Sequence, residues 1–207
     1  MTGSAVTRPR PITRRGADAV LVAVGAVVLL LAALPVERTH VPAAEAAVFR
    51  AVNGVDVLPF VLVWPVMQLG NVLVVPCAAA VAAAVRRWWL AAGLLVAGAG
   101  VYLLAKVVKG EVPRGRPDGL LTDVVIRGTA ALGRGYVSGH AAVVTSLLVV
   151  AWPWLGRPAR IGCTVLVVAV CLARVHVGAH LPLDVVGGAA LGVAVAGGVR
   201  LLLGHPR

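Results

Sequence analysis

Six stretches of the sequence contain no charged residue, and they constrain the fold more than any other feature. They are 19–36, 57–85, 88–105, 141–156, 161–173 and 185–199. The first three reach or exceed the roughly 18 to 20 residues needed to cross a bilayer, and the others are shorter but end beside polar residues suited to its boundary. Helices in lipid satisfy their own backbone hydrogen bonds, so the pattern predicts an all-α integral membrane protein with six transmembrane helices.

The composition agrees with a membrane protein and argues against a nucleic-acid partner. The chain is 60% hydrophobic and 13% charged, with a formal net charge of +11. Its arginines cluster at the ends of the apolar runs, where they anchor helices at lipid headgroups. The three cysteines lie inside apolar runs without metal-type spacing, so we expect neither a metal site nor disulfides from them.

A single membrane domain is expected over 17–204, after a basic cytoplasmic tail at 1–16. The approximate helices are 18–36, 57–85, 88–108, 139–156, 158–175 and 182–203. The run 57–85 is too long for one upright helix and contains three prolines, which predicts a kink or re-entrant turn near 68–71. Segment 41–56 is amphipathic and is expected to lie on the membrane surface.

Six helices place both termini on one side of the membrane. The arginine-rich tail and the tight Arg86-Arg87 turn favour the cytoplasm for that side. We therefore expect a multi-pass protein of the cell (inner) membrane, whose opposite, extracytoplasmic face carries the loops after the third and fifth helices.

Three polar clusters fall on that extracytoplasmic face. They are "KGEVPRGRP" at 109–117, "GYVSGH" at 135–140 and "RVHVGAHLPLDVV" at 174–186. Lys109, Arg116 and Arg174 supply fixed cations suited to phosphate oxygens. Ser138 is a residue type that caps helices, which would direct the N–H groups of Gly139 and His140 at an anion. Together these groups predict an oxyanion site.

Two histidines and a carboxylate remain for chemistry. His180 and Asp184 are four residues apart, so the carboxylate could hold one ring nitrogen and leave the other free as a nucleophile. His140, on a different helix, could donate a proton to a leaving oxygen. This set is suited to phosphoryl transfer without a metal or other cofactor.

These motifs resemble the three-part signature of the type 2 phosphatidic acid phosphatases, a family that also includes undecaprenyl pyrophosphate phosphatases and vanadium haloperoxidases. The matching parts are Lys109-x6-Arg116-Pro117, Ser138-Gly139-His140 and Arg174-x5-His180-x3-Asp184. The order and the spacings agree, and the resemblance covers about residues 60 to 200. Three motifs in order, each at a helix boundary, are far more specific than one alone.

The resemblance implies a six-helix histidine-phosphatase bundle acting on a lipid phosphate or pyrophosphate from the outer leaflet. It implies His180 as nucleophile, Asp184 as its orienting partner and His140 as general acid. The phosphate would be bound by five residues: Lys109, Arg116, Ser138, Gly139 and Arg174.

Two positions depart from the family pattern. Val137 stands where a proline is usual, which removes only backbone stiffness before the helix. Ala173 stands where a serine is usual, which removes a hydroxyl that could contact phosphate and so could weaken binding or alter substrate preference.

Other interpretations use the same residues differently. A lipid phosphotransferase would pass the phosphoryl group to another acceptor, and a headgroup transporter would bind lipid phosphates without chemistry. His176, His180 and Asp184 recur every four residues and could suggest a metal site, but Gly178 and Pro182 interrupt the helix that this requires. We interpret His176 as a structural or pocket-lining residue. Arg114, Arg127 and Arg134 could add positive potential or belong to a solvated loop.

Overall fold

The structure is a computed structural model that describes residues 12–13 and 16–206. Most of the basic tail predicted at 1–16 therefore lies outside the described residues. Within them the chain forms nine α-helices: α1 (Gly16–Ala33), α2 (Ala43–Asn53), α3 (Phe60–Gln68), α4 (Val74–Ala84), α5 (Trp88–Glu111), α6 (Pro117–Leu120), α7 (Gly139–Ala151), α8 (Arg157–His176) and α9 (Pro182–Leu203). A 3-10 turn at Trp152–Trp154 follows α7. The expected all-helical fold is confirmed.

The two ends of the described chain meet. β1 (Ile12–Thr13) pairs antiparallel with β2 (His205–Pro206), the two-residue strands that flank the helices. Asp18 in the first turn of α1 forms a 2.7 Å ion pair with Arg200 in the last turn of α9. α1 and α9 therefore run antiparallel, with the N-terminal end of one beside the C-terminal end of the other.

α9 is the central helix of the bundle and packs against α1, α5 and α7. Its glycines permit the close approach. A Cβ atom at Gly192 would lie 2.5 Å from the Ala142 carbonyl oxygen in α7, and one at Gly197 would lie 2.9 Å from the Asp18 carbonyl oxygen in α1. Small residues are what allow helix backbones to pack closely in lipid, where no hydrophobic effect drives helices together.

Four helices are long and apolar enough to cross a membrane among the described residues: α1, α5, α8 and α9. The other two predicted spans take a different form. α7 is a shorter apolar helix, because Pro153 follows its last turn and a 3-10 turn ends the segment.

The predicted 57–85 helix is divided in two. α3 ends at Gln68 and α4 begins at Val74, so the expected break lies at 69–73. Asn71 stabilises the turn by accepting a 3.0 Å hydrogen bond from the Leu73 N–H. Gly70 in the same turn lies directly against α7, where an added Cβ would sit 2.8 Å from the His140 Cβ. The break thus brings the α3–α4 turn against the beginning of α7.

Segment 41–56 is not simply a surface helix. α2 buries one face, formed by Glu45, Phe49 and Asn53, which recur every four residues. That face packs against α8 and the start of α9. A carboxylate on the buried face of an amphipathic helix needs a partner, and its partner lies in the candidate site.

Candidate active site

Four helix ends meet at one end of the bundle, where α5 and α8 terminate and α7 and α9 begin. The first two polar clusters lie at the end of α5 and the beginning of α7, and the third extends from the end of α8 to the beginning of α9. A direct hydrogen bond joins two of them, since the Ser138 N–H donates to the Asp184 carbonyl oxygen over 2.8 Å. The structure therefore brings together the predicted site residues, which are up to 75 positions apart in the chain.

His180 and Asp184 form a buried pair. The turn 177–181 after α8 carries His180, and Asp184 lies in the first turn of α9. The His180 Nδ1 atom lies 3.4 Å from Asp184 Oδ2, a long hydrogen bond, and the same oxygen accepts the Leu181 N–H over 3.0 Å. Asp184 is fully buried and His180 is 2% exposed.

His180 is neutral at physiological pH. Burial lowers the pKa of His180 to about 3, against the opposing effect of Asp184, and the charges of Arg116 and Arg174 add to the lowering. With Nδ1–H directed at Asp184, the Nε2 atom carries the lone pair. An uncharged imidazole is the form that a nucleophile requires, and in this tautomer the Nε2 lone pair accepts a hydrogen bond from Arg116 over 2.9 Å.

Arg116 contacts the His180 ring. Its Nη1 atom is 2.9 Å from His180 Nε2 and donates to the Ala179 carbonyl oxygen over 2.7 Å. Its other donors reach the carbonyl oxygens of Leu132 and Gly133 at 3.0 and 3.2 Å. The guanidinium is therefore held by neutral acceptors and keeps its positive charge for an anion beside His180.

Lys109 is held in the same way. Its Nζ atom donates to the carbonyl oxygens of Arg134 and Gly135 at 2.9 and 3.4 Å. Arg134 returns the contact by donating to the Lys109 carbonyl oxygen over 2.6 Å. Segment 132–135 thus orients both Lys109 and Arg116 through its backbone carbonyl oxygens. The Arg134 side chain in turn binds this segment to the end of α5.

Arg174 is buried and poorly satisfied. Its Nη1 atom contacts the Met67 sulfur at 2.8 Å, a weak acceptor, and its Nε atom is buried without a partner. A cavity of about 200 Å³ lies beside it, lined also by Phe60, Trp64 and Arg127. In the described part of the chain, Lys109, Arg116 and Arg174 form no ion pair with a carboxylate. Three cations without a counter-charge attract an anion.

The beginning of α7 supplies neutral donors and one histidine. Ser138 occupies the N-cap position, but its hydroxyl makes no capping hydrogen bond and is buried without a partner. The prediction that Ser138 caps the helix through its side chain is wrong, because the hydroxyl makes no hydrogen bond to the first-turn N–H groups. Both the hydroxyl and those N–H groups remain available to an anion. His140 is half-buried against Gly70.

Arg114 is the residue that sequence reasoning misjudged most. It is 1% exposed, which excludes the solvated-loop interpretation. Its Nη1 atom donates to Asp184 Oδ1 at 2.9 Å and to Glu45 Oε1 at 3.0 Å, and its Nη2 atom forms an ion pair with Glu45 Oε2. Burial lowers the pKa of Arg114, but the hydrogen bonds and charges of Glu45 and Asp184 outweigh it and raise the pKa above its ordinary value.

Glu45 had a sequence signal and Arg114 did not. Glu45 shares a helix face with Phe49 and Asn53, so its burial was readable from the four-residue spacing. Arg114 and Arg116 stand two apart in one short loop, and nothing in "RGRP" says which side chain turns toward the substrate side and which turns inward.

His176 lies outside the reactive cluster. α8 ends at His176, the chain turns at Gly178 with φ of +75°, and α9 starts only at Pro182. The His176 ring contacts the Val52 carbonyl oxygen and lines an apolar cavity of about 480 Å³ between α2, α3 and α8. Among the described residues no group of three His, Cys, Asp or Glu side chains is arranged to hold a metal ion.

The loop between α6 and α7 is hydrogen-bonded to α2 and α8. Asn53 and Arg127 both donate to the His176 carbonyl oxygen, at 2.8 and 2.7 Å. Arg127 also reaches the exposed Asp56 carboxylate over 2.8 Å. The positive charge of Arg127 is therefore engaged in holding the loop.

Apolar helices carry three cations without a carboxylate partner at one end of the described bundle, and one of these cations lies 2.9 Å from His180. Such a site is suited to bind a phosphate group at a membrane. The sequence profile of the PAP2 superfamily matches residues 86–205, more than half of the chain. The chain belongs to the PAP2 superfamily, the type 2 phosphatidic acid phosphatases that its motifs resemble. No curated protein sequence matches the chain significantly.

Two solved structures share the fold. LpxE from Aquifex aeolicus is 22% identical with a TM-score of 0.69, over 75% of this chain and 93% of that one. A transmembrane PAP2-type phosphatidylglycerolphosphate phosphatase from Bacillus subtilis is also 22% identical, with a TM-score of 0.65 over 88% of this chain and 94% of that one. At this level of identity the likeness concerns the fold.

Proposed function

We propose that this protein hydrolyses a phosphomonoester or pyrophosphate of a membrane lipid through a phosphohistidine on His180, without a metal ion. The observation that carries the proposal is the neutral, buried His180, which Asp184 holds and which lies beside Arg116 and Arg174, two cations that form no ion pair with a carboxylate of the described residues. The family membership agrees with this chemistry.

In the first step, the His180 Nε2 lone pair forms a bond to phosphorus while the bond from phosphorus to the lipid oxygen breaks. His140 donates its proton to that oxygen. Lys109, Arg116 and Arg174, with the Ser138 hydroxyl and the Gly139 N–H, stabilise the charge on the phosphoryl oxygens. Arg116 donates to the Nε2 lone pair over 2.9 Å, so in the reaction its N–H transfers from Nε2 to an oxygen of the bound phosphate, which frees the lone pair for attack.

In the second step, water attacks the phosphorus of the phosphohistidine. His140 accepts a proton from the water, the phosphorus–nitrogen bond breaks and its electron pair returns to Nε2. Inorganic phosphate leaves and His180 is regenerated. Asp184 stabilises the positive charge that the ring carries while it is phosphorylated.

The surroundings of the site favour an amphiphile as substrate. α1, α5, α8 and α9 can span the membrane, and α7 with the α3–α4 pair completes a proposed six-crossing arrangement. The site lies at one end of this bundle and so at the membrane boundary. We propose that this end faces the extracytoplasmic side of the cell membrane, with phosphatidate-type or polyprenyl phosphates as substrates.

Phosphate release from purified protein in detergent tests the function. Phosphatidate, phosphatidylglycerol phosphate and a polyprenyl pyrophosphate form the panel, with His180→Ala and His140→Ala as variants. His40→Ala is the matched control, because His40 is exposed and lies outside the site. Turnover by His180→Ala at the parent rate would overturn the proposal.

Three further measurements fix the mechanism. Activity is expected to persist in EDTA and to fall with vanadate, which mimics five-coordinate phosphorus. With ¹⁸O-labelled water, the label is expected in the released phosphate, whereas transfer to a lipid acceptor without label would identify a phosphotransferase. Binding of the headgroup with no turnover would instead indicate a transporter.

A further inference from the structure

Glu45 and Arg114 form a buried ionic cluster with Asp184 that the proposed chemistry does not yet use. The Arg114 side chain has no exposed surface, and it reaches both carboxylates at once. Glu45 also accepts the Leu183 N–H over 2.9 Å, so α2 is bound to the first turn of α9. The cluster joins three separate parts of the chain: α2, the loop before α6, and α9.

Stability alone is a weak reason for such a cluster. Burying three charged groups has a large desolvation cost, and well-packed apolar residues of similar size often serve a fold equally well. The cluster is also placed where it matters for the reaction, because Asp184 uses Oδ1 for Arg114 and Oδ2 for His180 and Leu181. Every oxygen of Asp184 is thereby fixed in direction.

The charge balance of the cluster is equally informative. Asp184 with Arg114 alone would form a neutral pair and would hold a cationic ring poorly. Glu45 takes both terminal nitrogens of Arg114, so the two carboxylates share one cation and the cluster keeps one negative charge in excess. In a buried site that excess acts strongly on the neighbouring His180 ring.

We propose that Glu45 and Arg114 are positioning residues for the reaction. Arg114 fixes the Asp184 carboxylate against His180, and Glu45 offsets the Arg114 charge so that Asp184 can stabilise the phosphorylated ring. Neither residue touches the substrate. This inference rests on the proposed function of His180 and Asp184.

Glu45→Gln tests the inference, because glutamine keeps the shape and the hydrogen bond from Leu183 but removes the charge. We expect kcat to fall about tenfold or more with KM within about twofold of the parent, as for other residues that orient a primary catalytic group. Arg114→Lys, which keeps the charge but cannot reach both carboxylates, should lower kcat similarly and guards against a Glu45 variant that does not fold.

Asp18→Asn is the matched control. It removes the charge of another fully buried carboxylate, ion-paired with Arg200 between the opposite ends of α1 and α9. It should lower the melting temperature without changing kcat. A Glu45→Gln protein that loses melting temperature but keeps its kcat, as Asp18→Asn does, would show that the cluster is only structural.

A double-mutant cycle tests whether the effect passes through Asp184. In an Asp184→Asn background, Glu45→Gln should change kcat by less than about twofold, because the group it acts on is already neutral. A full additional tenfold loss would overturn the inference. These outcomes are separate from the proposed function, which fails only if the parent releases no phosphate or His180→Ala retains the activity.

Discussion

A buried aspartate lies at each end of α9, and the two aspartates have different partners. At its C-terminal end, Asp18 of α1 forms an ion pair with Arg200. At its N-terminal end, Asp184 shares Arg114 with Glu45 and directs its second oxygen to His180. The first arrangement joins two helices. The second leaves negative charge beside His180, the proposed nucleophile.

Burial of a charged side chain does not by itself identify a functional site. Both aspartates are fully buried in a membrane protein, and both have an arginine partner. At the site end, two carboxylates share Arg114, and among the described residues three further cations have no carboxylate partner.

The largest expected effect is that of neutralising the two aspartates. Asp184→Asn should lower kcat by about 10³-fold or more, since the amide can no longer stabilise the cationic ring or hold its tautomer. Asp18→Asn should leave kcat unchanged. Steady-state phosphate release from both proteins decides the matter, and equal losses in the two variants would contradict the distinction between the ends.

Removing a cation should have the next largest effect. Arg174→Ala is expected to lower kcat/KM by about 10²-fold, because a buried guanidinium without a carboxylate partner is available to the phosphate. Arg160→Ala is the control at the opposite end, where Arg160 is half-buried and its guanidinium lies 5.2 Å from the centre of the Trp152 ring. A kcat/KM for Arg174→Ala within about threefold of the Arg160→Ala value would remove Arg174 from the binding site.

A smaller effect is expected from filling a glycine contact. An added methyl group at Gly70 would lie 2.8 Å from the His140 Cβ, so either the α3–α4 turn or the beginning of α7 must shift. Gly70→Ala should reduce kcat about tenfold through misplacement of His140. Gly162→Ala, where nothing lies within 4 Å, should be silent. If both variants matched the parent in kcat, His140 would not depend on this packing.

The smallest effect is a pH dependence of stability. The pKa of His180 falls from 6.5 to about 3 through burial, so the folded protein binds fewer protons than the unfolded chain between these values. The His180 contribution to stability is therefore present above pH 6.5 and is lost as pH falls toward 3. In detergent, the melting temperature of the parent should fall more steeply over this range than that of His180→Ala. Parallel curves would contradict a depressed pKa.

Much of the candidate site was readable from the sequence. The spacings around Lys109, His140, Arg174 and His180 placed these side chains at helix ends, because each follows or precedes an apolar run. Because successive membrane helices alternate in direction, these helix ends were expected on the same side of the membrane. The match of the PAP2 profile to residues 86–205 confirms the family that these motifs predicted.

The remaining features depend on distant contacts. Ser138 has the residue type of a helix cap, yet its hydroxyl makes no capping hydrogen bond. Arg114 was indistinguishable from a loop charge until its partners, 69 and 70 positions away, were known. Val137 and Ala173, the two departures from the family pattern, are both buried in apolar clusters.

The sequence by itself determined that the chain forms apolar helices in a membrane and which helix ends carry cations and histidines. Both properties are local, since they follow from the length of apolar runs and the position of polar residues within them. The tertiary structure decided which charges neutralise one another. It paired Arg114 with Glu45 and Asp184 but held Lys109 and Arg116 with backbone carbonyl oxygens. Which charged groups form ion pairs depends on the distances between buried groups in a medium of low dielectric constant, and no local sequence pattern encodes these distances.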